Sequence, residues 1–136
     1  WHFYEGDPVA LYEFHPDGTA RTILLGRDIA AGQVMQHTIK AGVIQAGEVA
    51  PGGAWSLFAC TMSPGFTATC FKGVTKSELR GKYAGYEEII ERMGVADGHE
   101  TSLPNNYVNE RFKGKIHKAV RLITAFVFYG YWLHII

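Results

Sequence analysis

The chain has 136 residues, 47% of them hydrophobic, and its 13 basic and 13 acidic side chains cancel to a formal charge of zero. That length suits one domain with one sizeable core, the apolar content excludes a disordered chain, and the charge balance gives nucleic acid no electrostatic hold. The two cysteines, Cys60 and Cys70, show no Cys-x-x-Cys or histidine spacing; they read as buried free thiols in a reducing, cytoplasmic compartment rather than as a zinc cage or a disulfide.

The sequence opens on Trp1 inside a strand-like aromatic run, Trp1 to Tyr4, and so reads as a fragment whose first strands lie upstream. The turn Glu5-Gly6-Asp7-Pro8 stops that run, with Glu5 and Asp7 expected in solvent. Val9 to Phe14, the turn His15-Pro16-Asp17-Gly18 and Thr19 to Leu25 predict a hairpin. Gly26 to Gly32 is a looser connection, and Gln36 to Lys40 resumes an extended run that leads on to Val49. The turn Ala50-Pro51-Gly52-Gly53 and the run Ala54 to Thr61 predict a second hairpin, followed by a turn at Met62 to Gly65 and a strand from Phe66 to Phe71. Short strands at this spacing predict a mainly β domain, a sandwich or a barrel.

At Thr75 the period changes. Thr75-Lys76-Ser77-Glu78 has the form of a capping box, and Leu79, Tyr83, Tyr86, Ile89, Ile90 and Met93 recur at mostly helical intervals. One helix is predicted over about 76 to 93, its apolar stripe on the sheet and Gly94 as a left-handed C-cap. Gly81 and Gly85 weaken it, so tertiary packing must hold it. Residues 95–109 read as a polar linker. Leu122 to Ile136 is an apolar tail, read as an extra strand or helix docked on the barrel or as a segment foreign to the fold. A membrane anchor is weighed and not favoured, because fifteen residues fall short of a span and the β-branched and aromatic content suits extended structure.

No phosphate-binding glycine loop or His-Glu-x-x-His pattern occurs, and His15, His37, His99, His117 and His134 show no ligand spacing. Catalytic residues therefore stay unassigned.

Three motifs stand in order: Trp1-His2-Phe3-Tyr4-Glu5-Gly6-Asp7-Pro8; Gln36 with Ala41-Gly42 and Gln45-Ala46; and Ala59-Cys60-Thr61 with Ser63-Pro64-Gly65-Phe66. Together they resemble the DUF985 family of cupins, also called cupin_5, over about residues 1 to 93. The resemblance implies a cupin-like antiparallel β-barrel of the jelly-roll type over residues 1–94, with 95–136 outside it. It further implies a pocket at the barrel mouth for a small polar or sugar-like molecule, and a homodimer. The wider cupin group makes epimerase- or isomerase-like chemistry conceivable.

The first cupin motif, which supplies most metal ligands, would lie before Trp1, and Gln45 stands where the second motif has its imidazole. Ile44 and Cys70 replace a Trp and an acidic residue of the pattern. No metal and no cofactor is therefore expected.

The resemblance makes His2, Tyr4, Gln36 and Gln45 the candidate ligand-binding residues, lining one cavity. Strand alternation sends Trp1 and Phe3 to the opposite face, so they form the wall if His2 and Tyr4 point outward. The other reading is a degenerate, non-catalytic cupin fragment that acts as an interaction protein, with the tail as its route to a membrane.

Overall fold

The computed structural model describes residues 1–62 and 71–99 together with the strand 122–128. The described strands are β1 (His2–Gly6), β2 (Val9–Phe14), β3 (Ala20–Leu25), β4 (Ile44–Val49), β5 (Ser56–Ala59), β6 (Phe71–Gly73) and β7 (Leu122–Phe128), with α1 (Lys76–Leu79) and α2 (Glu87–Met93) after β6. They form a five-stranded sheet in the order β3-β2-β4-β7-β6 and a two-stranded sheet, β1 with β5. Every pairing between these described strands is antiparallel.

The centre of the molecule is β2, where Asp17 and Gly18 close the turn to β3 and all six residues pair from Val9↔Leu25 to Phe14↔Ala20. All six are buried, because each face of the large sheet is covered. Ala10, Tyr12 and Phe14 point toward the helices, packing with Ala46, Val74, Leu79, Tyr83, Ile90 and Met93. Val9 and Leu11 point the other way, with Leu25, Ile39 and Val43, onto Trp1 and Phe3 of the small sheet. Each large apolar side chain removed from water in these layers contributes about 1.5–3 kcal/mol.

The cupin-like β character of the sequence is present, but several expectations need correction. The sheets do not close into a barrel; they face one another across the Trp1–Leu11 layer. The strands flanking Pro51-Gly52-Gly53 do not pair as a hairpin: β4 pairs with β2 while β5 pairs with β1, so that turn carries the chain from one sheet to the other. The helix over 76–93 is two short helices, because Gly81 (φ 73°) and Gly85 (φ 82°) take left-handed conformations that end α1 and restart the chain before α2.

The capping box is made: the Thr75 side chain accepts from the Glu78 amide, and the Glu78 carboxylate accepts from the Thr75 amide. The stripe still meets the sheet, with Leu79, Tyr83, Ile90 and Met93 buried. Gly94 is extended (φ −64°, ψ 144°), not left-handed. Cys60 is exposed rather than buried.

The strand expected over 66–71 lies outside the described residues except for Phe71, as do Cys70, most of the linker and the tail beyond Phe128. Within the tail, Leu122–Phe128 is a strand seated between β4 and β6. Among the described residues no helix is long and apolar enough to cross a membrane.

Candidate functional site

β1 lies between β5 and a strap of chain, residues 34–37, that runs along its other edge. The strap is fixed by Phe3 N donating to Met35 O (2.8 Å), by His37 N donating to Trp1 O (3.0 Å) and by the bridge His2↔Gln36. Alternation along β1 then decides the faces. Trp1 and Phe3 turn inward, Trp1 stacking on Phe58 with ring centroids 5.2 Å apart. His2 and Tyr4 turn outward, their rings nearly parallel at 9° and 6.5 Å apart.

His2, Tyr4 and Gln36, with Phe3 and Met35, line a cavity of about 450 Å³. Tyr4 is half exposed, whereas His2 is buried at 9% with its Nε2 3.2 Å from Thr61 Oγ1. Three of the four candidate residues thus meet in one place.

Gln45 lies elsewhere, on the inner face of β4. It is buried, and its Oε1 accepts from the Trp1 indole at 2.6 Å. This bond engages the amide that stands at the second-motif imidazole position. Among the described residues no group of three or more His, Cys, Asp or Glu is placed to hold a metal ion. The described residues therefore do not fit the metal centre of the wider cupin group.

Beside Gln45 the inner face turns polar. Glu13 pairs across β2 with Arg21 on β3 and with Gln45 on β4, and its side chain is only 1% exposed. Its Oε2 accepts from Arg21 Nε at 2.5 Å and lies 3.1 Å from His15 Nε2; its Oε1 lies 2.6 Å from His37 Nε2. Burial alone would raise the Glu13 pKa, but the bonds from His37 and Arg21 and the charges they carry outweigh it and hold the carboxyl below the ordinary glutamate value. Glu13 is therefore ionised at neutral pH.

This cluster has no local signature in the sequence, because its members come from three separate stretches with no fixed spacing. The available signal was one carboxylate inside the apolar run Val9 to Phe14, opposite Arg21 once the hairpin is folded.

A mainly antiparallel β domain of two facing sheets, with a small cavity beside one and a polar group between them, defines a cupin-like β domain. A family model of the cupin superfamily (DUF985) matches residues 1–74, and the chain belongs to that family. No curated protein and no solved structure matches it.

Proposed function

We propose that the chain binds a small polar or sugar-like molecule in the cavity between β1 and the strap. The observation that supports this reading is the meeting of His2, Tyr4 and Gln36 around one space of about 450 Å³, a volume within the range of small-molecule sites. The parallel rings of His2 and Tyr4 offer flat faces to the C–H side of a sugar, and the Gln36 amide offers both a donor and an acceptor to hydroxyls. Met35 supplies an apolar part of the wall.

The test is a titration of the ¹⁵N-labelled chain with D-glucose, L-rhamnose and glycerol, followed by amide and side-chain shifts. Saturable shifts at His2, Tyr4 and Gln36 with one of them, abolished in Gln36→Ala, are expected. Flat responses with all three up to tens of millimolar would count against the reading.

A second reading, a non-catalytic module that pairs with another copy of the chain, draws on the same outer face. Tyr4, Met35 and Leu57 are each about half exposed there. An exposed apolar patch suits a partner surface. Sedimentation showing a dimer that Leu57→Lys disperses, with no sugar response, would favour it over ligand binding.

A further inference from the structure

We propose that His37, held on the Glu13 carboxylate with His15 beside it, forms an acid–base site at the polar end of the space between the sheets. The geometry fixes which ring nitrogen does the work. An ionised carboxylate only accepts hydrogen bonds. His37 Nε2 bonds to Oε1 at 2.6 Å, so its Nε2 carries the proton, while His15 Nε2 lies 3.1 Å from Oε2. In the neutral His37 ring the lone pair is then on Nδ1, for which no partner stands among the described residues. The buried carboxylate thus sets the His37 tautomer, with the basic atom of the ring turned away from it.

The charges around the pair support this role. Arg21 neutralises Glu13 through Nε, while Gln45 across β4 is neutral and spends its Oε1 on Trp1. A further charged neighbour is Asp17, in the turn after β2 and near His15, and Trp1 N donates to His37 O at 2.8 Å. His15 and His37 keep 25% and 19% of their side-chain surface, so the rings reach solvent although Glu13 does not.

A buried ion cluster stabilises a fold no better than apolar packing in the same space, and Val9 and Leu11 on the same face of β2 show that packing in use. The cluster is thus better explained by chemistry than by stability. The step it suits is removal of a proton by Nδ1 from a hydroxyl, or from a C–H next to a carbonyl, of a small polar molecule. The ring becomes an imidazolium that Glu13 stabilises, and it returns the proton to the same molecule or to water.

The experiment is long-range ¹H–¹⁵N correlation of the imidazoles in the full chain across pH 5 to 9. In the unsubstituted protein His37 is expected as the Nε2–H tautomer, with its Nε2–H proton shifted downfield by the charge-assisted bond to Glu13. In Glu13→Gln, checked for folding by its amide spectrum, that resonance is expected to move upfield, because the ionised acceptor is gone. His37 as the Nδ1–H tautomer in the unsubstituted protein would overturn the proposal without recourse to the variant. An unmoved Nε2–H resonance in folded Glu13→Gln would do so as well. The tautomers do not depend on sugar binding at the outer cavity, so the two readings fail separately.

Discussion

The two faces of the five-stranded sheet are built on opposite terms. On the helix side, β2 presents Ala10, Tyr12 and Phe14 to an aromatic and aliphatic layer, in which Phe14 meets Tyr83 at 5.0 Å and Tyr86 edge-on at 5.8 Å. Charge is confined to the border there: Tyr12 Oη donates to Glu48, which Arg92 also engages, and burial together with Glu48 pushes the Tyr12 pKa up to about 12. On the inner side the apolar layer ends in a buried carboxylate and its cationic partners. One strand serves both because successive side chains alternate: polarity at the border costs little, whereas polarity in the middle has to be fully partnered.

Four substitutions break or sharpen this contrast. Phe14→Ala removes the ring that ties sheet to helices, and urea unfolding is expected to show a loss of about 3–5 kcal/mol, the largest of the set. Glu13→Gln keeps the shape but removes the charge that Arg21 and His37 share, for an expected loss of about 2–3 kcal/mol at pH 7. The pH dependence separates these two. Glu13 has a depressed folded-state pKa, so its contribution is present above the ordinary value of 4.5 and is lost as pH falls through the lower folded value. Stability of the unsubstituted protein is thus expected to converge on that of Glu13→Gln in acid, while the Phe14→Ala deficit persists.

Thr75→Ala removes the side chain that caps α1 and is expected to cost about 1 kcal/mol in the same measurement. Arg92→Ala, at the partly exposed border of the helix face, is expected to cost only about 0.5 kcal/mol and to do so less in high salt. A loss from Arg92→Ala as large as that from Glu13→Gln would erase the distinction between border and interior charge.

How much of this was legible in the sequence follows from how local each signal is. The β2–β3 hairpin and the Thr75–Glu78 box are contained in short windows, and both appear as read. The turn at Pro51-Gly52-Gly53 was also legible as a turn, but which sheet receives each arm depends on packing distant in sequence, so β4 and β5 part company. Gly81 and Gly85 each weaken a helix in any reading of the sequence, and their left-handed conformations make them its break. For the site, His2, Tyr4 and Gln36 were reachable from motif order, whereas Gln45 falls on the inner face with Trp1, and Glu13 with His37 came together only through tertiary contact.

The crossing from β4 to β5 carries a mechanical consequence. It lies at the same end of the molecule as the turn from β1 to β2, and the two are latched together: Ala50 N donates to Pro8 O at 2.8 Å, Asp7 N to Trp55 O at 2.8 Å, and Ala54 N to the Asp7 carboxylate at 2.7 Å. The opposite end is joined by side-chain bonds, Trp1 to Gln45 and His37 to Glu13, and by Trp1 N on His37 O. The two sheets are therefore riveted at both ends, by main-chain bonds around Asp7 and Ala54 and by side-chain bonds beside the imidazoles.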